Sequence, residues 1–175
     1  GSDRETIGFE KAGVYRANKP ALYGETSVPQ SVVEHASSIG STFMLWGDAF
    51  GPAAENRVDW CWRGVDVDGK PLMIDRLSYP ELPFENASTA IQAVKLLGLS
   101  MSDDAVRQGV SNASLTGRYQ RLQLDGRQVI LDVAHNPHAA AHLAQKLLKL
   151  KTATEAKVYC VLGMLEDKDI TSTLK

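Results

Sequence analysis

The chain has 175 residues, a formal net charge of −2, and 43% hydrophobic and 23% charged residues, enough for one medium domain or pieces of two with a buried core. Both charge signs are spread along it and no basic run is interleaved with aromatics, so nucleic acid is not indicated as a partner. The longest apolar stretches, such as Val158 to Leu165, are too short to span a bilayer, and no secretory leader pattern is read, so neither membrane nor export is indicated.

Gly1-Ser2 has the look of a tag-cleavage scar, and both ends read as cut from something longer. In chain order, Pro20-Ala-Leu-Tyr-Gly24 reads as a short strand. Val28 to Ser38 has apolar spacing suited to a helix, with Ser27 as its cap before Pro29. Thr42-Phe-Met-Leu-Trp46 reads as another strand. Val58, Trp60, Trp62 and Val65 nearly alternate, and Asp68-Gly69 is a tight-turn signal leading into Pro71-Leu-Met-Ile74. That is an antiparallel hairpin of a small β subdomain. Tyr79 to Pro83 is a linker. Asn86 caps a helix running to Leu97, whose Ala87, Ala90, Ile91 and Val94 share one face, and Gly98 stops it. A second helix follows Ser102, with Asp103 and Asp104 where the helix dipole favours them, and ends near Gly109.

A domain boundary is expected near residue 115, giving regions 3–114 and 115–175. Beyond it, Tyr119 to Leu124, the turn Asp125-Gly126 and Gln128 to Val133 form a hairpin-like entry. The strand Val129 to Ala134 then feeds an alanine-rich helix to about Leu150, with Asn136 as N-cap and Pro137 as its first residue. Lys157 to Gly163 reads as a second apolar strand, closing a β-α-β unit with parallel strands and a right-handed crossover. Ile170 to Lys175 reads as the start of a helix. Cys61 and Cys160 sit in separate apolar runs without metal-ligand spacing and read as reduced core cysteines. Trp46, Trp60 and Trp62 read as core, and His35, His138 and His142 as structural or exposed.

Ligands of open parallel sheets bind beyond the carboxyl ends of the strands, where Asp132 and the loop Ala134-His135-Asn136 would lie. A carboxylate there can accept from a ribose or orient a metal-bound group. His135, at a helix entrance with exposed N–H groups, can contact a phosphate or an anionic substrate. The same residues are compatible with a plainer role, Asp132 pairing with a neighbour, Asn136 capping and His135 lying on the surface. Arg118, beside Gly117 at the boundary, suits bidentate phosphate recognition or is a solvated charge. Lys11, within Ile7-Gly-Phe-Glu-Lys-Ala-Gly13, reads as a surface charge. A neutral lysine near a divalent ion can also take up carbon dioxide as a carbamate, an oxygen ligand suited to Mg2+.

Together, Gly8-Phe-Glu-Lys-Ala-Gly13, Leu82-Pro-Phe-Glu-Asn-Ala87, Thr116-Gly-Arg-Tyr-Gln120, Leu131-Asp-Val-Ala-His-Asn-Pro-His-Ala139 and Gly163-Met-Leu-Glu-Asp-Lys-Asp169 resemble the dihydrofolate synthase/folylpolyglutamate synthase family of the Mur ligase superfamily, in its order and almost end to end. The resemblance implies an α/β fold: part of a P-loop-type central ATPase domain with a small β subdomain (3–114), then the start of a Rossmann-like C-terminal ligase domain (115–175). It implies a cytoplasmic, monomeric ligase joining L-glutamate to dihydropteroate and folates through an acyl phosphate, with ATP and Mg2+ as cofactors and K+ a further candidate. In it Lys11 corresponds to a carbamylated lysine at the second Mg2+. Asn86, Arg118 and Asp132 correspond to nucleotide contacts, and His135 to a histidine near the glutamate and the reacting phosphate.

Glu85 and Thr116 depart from the family pattern without removing a functional side chain. A larger departure is that no Gly-x-x-x-x-Gly-Lys-Ser/Thr phosphate loop occurs in these 175 residues. The chain alone is therefore expected to be inactive, with residues for the pterin and the first Mg2+ upstream of Asp3 and the rest of the C-terminal domain beyond Lys175. Two other readings are open. One is a Mur ligase of cell-wall precursors; the other is a non-catalytic nucleotide-binding module.

Overall fold

The computed structural model describes residues 3–154, 157–165 and 169–173. The chain has a mixed α/β fold and divides into two compact units, Gly1–Ala113 and Ser114–Lys175.

The first unit opens with α1 (Arg4–Ala12), a helix not foreseen from the sequence. Asp3 caps it by accepting from the Thr6 N–H at 2.9 Å. Then come β1 (Pro20–Tyr23), α2 (Gln30–Ser38) and β2 (Thr42–Leu45), with β1 and β2 paired in parallel. The Ser27 cap expected for α2 is not formed. Instead Glu5 of α1 takes the Gln30 N–H at 3.2 Å and the Ser31 N–H at 2.8 Å, so one helix caps the other. Ser27 accepts from Arg4 Nη1 at 2.9 Å. Gly8 allows the close approach, because a Cβ there would lie 2.9 Å from the Pro29 ring.

A three-stranded antiparallel sheet follows, β3 (Gly51–Glu55), β4 (Asp59–Val65) and β5 (Pro71–Ser78), in that spatial order. The hairpin around Asp68-Gly69 is as the sequence predicts, and β3 is an addition. β4 alternates regularly, so Trp60 and Trp62 face the core together, and the register shift opposite them places one extra residue in β5, where Ile74 and Leu77 are both buried. α3 (Phe84–Leu96) and α4 (Asp103–Asn112) complete the unit. Ser102 caps α4 through the Ala105 N–H at 3.2 Å.

The attachment of α3 to β4 is specific. Gln92 is fully buried; its Oε1 accepts from the Val65 N–H at 3.1 Å and its Nε2 donates to the Val65 carbonyl at 2.8 Å. Trp62 Nε1 donates to the Ser88 carbonyl at 3.2 Å. Between them, Gly64 must lack a side chain, since a Cβ would sit 2.2 Å from Gln92 Oε1 and 2.3 Å from the Trp62 ring. The core is built from Met44, Phe50, Trp60, Trp62, Ile74, Leu77, Ile91, Val106 and Val110. Phe84 lies edge-on to Trp60, ring centroids 4.5 Å apart.

The second unit contains the antiparallel hairpin β6 (Gln120–Leu124) and β7 (Arg127–Leu131), then α5 (Pro137–Thr154) and α6 (Ile170–Thr173). Three expectations are corrected in this unit. The strand expected to reach Ala134 ends at Leu131, because Asp132 and Val133 bond to the turn at Gly117–Tyr119 instead of continuing the ladder. Residues 157–165 form no strand, so no parallel partner for β7 and no β-α-β crossover exist among the described residues. The apolar run there lacks a ladder neighbour, and Val161 is 98% exposed. Cys160 is exposed rather than a core residue; Cys61 is half-buried, and both are free. Gly1-Ser2 and part of the motif Gly163 to Asp169 lie outside the described residues.

Gln92→Leu is expected to strip both partners from Val65 and to cost about 2 kcal/mol or more in urea denaturation, the scale for orphaned buried polar groups. The Glu5 carboxyl is held below its ordinary value of 4.5, foremost by the Ser31 N–H. Its stabilising effect is therefore complete above pH 4.5 and lost as pH falls through the lower folded value. Thermal melts of Glu5→Gln should show a weaker acid loss than the wild type.

Candidate functional site

In the second unit, three of the five sequence-selected positions, Arg118, Asp132 and His135, lie on two neighbouring loops. The first loop is the turn Gly117-Arg118-Tyr119. Gly117 has φ 71° and Tyr119 φ 45°, two left-handed positions flanking Arg118. The second loop, Asp132 to Asn136, joins β7 to α5. Two hydrogen bonds tie them: the Tyr119 N–H donates to Asp132 Oδ2 at 2.8 Å, and the Val133 N–H donates to the Gly117 carbonyl at 2.8 Å. Arg118, whose side chain is exposed, lies in the turn between the residues that make these two ties.

His135 Nδ1 lies 2.8 Å from the Val133 carbonyl. A carbonyl only accepts, so Nδ1 carries the proton of this contact and Nε2 is the nitrogen left for a ligand. The Ala139 N–H donates to Asn136 Oδ1 at 2.9 Å, the expected cap of α5, with Pro137 as first helical residue. A half-buried carboxylate, an exposed guanidinium and an exposed imidazole thus lie on two tied loops, one of which leads into an 18-residue helix. Such a set can hold a polyanion and a polar group beside it.

The other two positions belong to the first unit and stand apart from each other in its elements. Lys11 is in the last turn of α1, its side chain 75% exposed and 3.5 Å from the Glu10 carboxylate. It borders a cleft of about 420 Å³ lined also by Arg4, Tyr15, Tyr23 and Glu25. Burial raises the Tyr15 hydroxyl above its ordinary value, and that hydroxyl donates to the Leu22 carbonyl at 3.0 Å. Asn86, expected as the N-cap of its helix, is instead the third residue of α3, because the chain becomes helical directly after Pro83. Its side chain is exposed and has no capping duty. Among the described residues no group of three or more His, Cys, Asp or Glu side chains is arranged to hold a metal ion. No described helix is long and apolar enough to cross a membrane.

The sequence did not single out Tyr119. Its only signal was an aromatic directly after Gly117-Arg118. It is 6% exposed, with Arg121 5.2 Å and Lys146 4.6 Å from its ring centroid.

Residues 117–174 match the family described as Mur ligase, glutamate ligase domain. Over 174 residues the chain is 38% identical to the dihydrofolate synthase/folylpolyglutamate synthase of Escherichia coli (strain K12), covering 99% of this chain and 39% of that protein. The chain is a homologue of these synthases. Against the Haemophilus influenzae synthase, identity is 34% over 184 residues, covering 97% of this chain and 41% of that protein. The bifunctional folylpolyglutamate synthase/dihydrofolate synthase of Yersinia pestis, complexed with AMPPNP and Mn ion, superposes with a TM-score of 0.85 at 41% identity, covering 99% of this chain and 40% of that one. The Escherichia coli structure in complex with DHPP and ADP gives a TM-score of 0.82 at 38% identity, with 99% and 40% coverage. The chain therefore spans about two fifths of the length of the synthases it matches.

Asn136→Ala should cost about 1 kcal/mol, the usual worth of an N-cap. It should also speed amide exchange in the first turn of α5 while leaving α3 unchanged, which site-resolved NMR would show.

Proposed function

We propose that this chain is part of an ATP-dependent amide ligase that adds L-glutamate to dihydropteroate and to tetrahydrofolate (poly)glutamates, working as a cytoplasmic monomer. The observation that carries the reading is the tie between the Arg118 turn and the Asp132 loop at the start of α5, in a chain homologous over nearly its whole length to synthases of this kind. Residues 3–114 are assigned to the rear of the central ATPase domain and 115–175 to the opening of the C-terminal ligase domain, in keeping with the family match over 117–174.

In this reading Arg118 and Asp132 contact the nucleotide, and Asn86 contacts its adenine end. A guanidinium suits the phosphates, a carboxylate suits ribose hydroxyls, and an exposed amide not spent on capping suits a base edge. His135, with Nδ1 occupied by Val133, offers Nε2 toward the incoming glutamate and the reacting phosphate. Lys11 has the exposure that carbamate formation requires, and its carbamate would be an oxygen ligand for Mg2+. Mg2+ supplies neutralisation of charge between anionic partners when bound.

The chemistry is a carboxylate of the pterin substrate taking the γ-phosphoryl group of ATP, releasing ADP. The glutamate amine then displaces phosphate from the acyl phosphate, forms the amide and loses a proton. Fixed cations that offset the charge meeting there lower the barrier. The 175 residues contain no phosphate loop of the Gly-x-x-x-x-Gly-Lys-Ser/Thr kind, so they hold a subset of this machinery and are inactive alone.

Given ATP, Mg2+, L-glutamate and dihydropteroate, the 175-residue chain should release no ADP and form no dihydrofolate; turnover would refute the claim of inactivity. Calorimetry with AMPPNP and Mn2+ should detect binding, weakened about tenfold or more by Arg118→Ala or Asp132→Ala, as befits charge-assisted hydrogen bonds. Binding indifferent to both substitutions would remove the site assignment. A longer polypeptide carrying this sequence that ligated a muramyl nucleotide and not dihydropteroate would redirect the substrate reading.

A further inference from the structure

We infer that Tyr119 is the positioning residue that sets Arg118 and Asp132 in one frame, an inference that rests on the reading of those two side chains as nucleotide contacts. Three features of one residue carry it. The backbone is left-handed at φ 45°, a conformation that disfavours a side chain with a Cβ and suits glycine or asparagine. The N–H generated by that backbone bonds Asp132 Oδ2 at 2.8 Å. The residue is 6% exposed, with the Arg121 guanidinium 5.2 Å and the Lys146 ammonium 4.6 Å from its ring centroid.

A turn that needed only its left-handed geometry would be met at lower cost by glycine. An aromatic held there instead points to a duty for the ring. Arg121 belongs to β6 and Lys146 to α5, so the ring joins the strand that follows the turn to the helix that follows Asp132. The peptide on its N-terminal side carries Arg118. One residue thereby links the turn, the hairpin, the carboxylate loop and the helix, while the Val133 N–H to Gly117 carbonyl bond at 2.8 Å closes the far side of Arg118. Strain held by surrounding contacts at a ligand-facing turn is the pattern expected of preorganisation. Tyr119 acts through Arg118 and Asp132 and has no contact of its own with the reacting groups.

The test uses the full 175-residue chain, 15N-labelled, as wild type, Tyr119→Phe, Tyr119→Leu and Tyr119→Gly. Amide exchange at Tyr119 (or its replacement) and Val133 is measured beside that at Trp62 and in the middle of α5, and AMPPNP with Mn2+ is titrated into each variant. Phe keeps the ring and should match the wild type in exchange and affinity. Leu, and Gly despite its relaxed backbone, should exchange about tenfold faster at Val133 and bind the nucleotide about tenfold more weakly, the scale of two partly solvated cation–π contacts, with Trp62 and α5 unchanged. Wild-type exchange and affinity in the Gly variant would overturn the role of the ring. Loss of both in the Phe variant would do the same, by assigning the effect to the hydroxyl. A wild-type chain that binds no AMPPNP would defeat the nucleotide reading, while the exchange series still decides whether Tyr119 sets the two loops.

Discussion

A backbone N–H withdrawn from water has to find an acceptor, and the Tyr119 N–H finds the carboxylate of Asp132 at 2.8 Å. That bond shapes much of the second unit. It takes Asp132 out of the strand, so β7 ends at Leu131 and the chain is free to turn into α5. It also fixes a left-handed residue immediately after Arg118. The plain role and the functional role considered for Asp132 are therefore compatible: one oxygen holds the neighbouring turn, and the carboxylate still stands at the mouth of the loop. Arg118 and Asp132 are one structural feature contributed by two stretches of sequence.

The first unit solves the same problem of buried polar groups with side chains. Gln92 reproduces, with its amide, the pairing that another strand would have offered to Val65. Trp62 adds a bond to the Ser88 carbonyl of the same helix, and the missing side chain at Gly64 gives both groups their room. Helix and sheet are thereby joined by directed bonds inside an apolar core, which fixes one register of α3 on β4. Asn86, two residues before Ser88, inherits its placement from that registration.

Local signals in the sequence carried well where the chain satisfies itself nearby. The Asp68-Gly69 hairpin and the Ser102 and Asn136 caps are all set by neighbours within a few residues. The failures are cases where distant partners decide. α1 leaves Ile7 and Phe9 largely exposed and has an internal glycine, so its apolar spacing is poor; its reason for existing is contact with Pro29 and α2. β3, Gly51-Pro-Ala-Ala-Glu55, has little strand propensity and is made by pairing with β4. Asn86 looked like a cap, but Pro83 starts the helix earlier. Val158 to Gly163 has the composition of a buried strand and no ladder neighbour among the described residues, and composition alone does not make a strand. As for the site, spacing indicated where Asp132 and His135 would lie, but the choice of Lys11 and Arg118 came from the motifs and not from any periodicity.

The seating of α1 on α2 bears on Lys11. Glu5 and Gly8 hold the helix at two points, one by hydrogen bonds to Gln30 and Ser31 and one by contact with Pro29. Lys11 stands three residues beyond the second point, so its azimuth is dictated by these anchors and not by the stretch 13–19 that leads to β1. Additional residues in that connector would leave the lysine where it is. A single residue inserted between Gly8 and Lys11 would swing the amine by about 100° around the helix axis and out of the cleft it now borders.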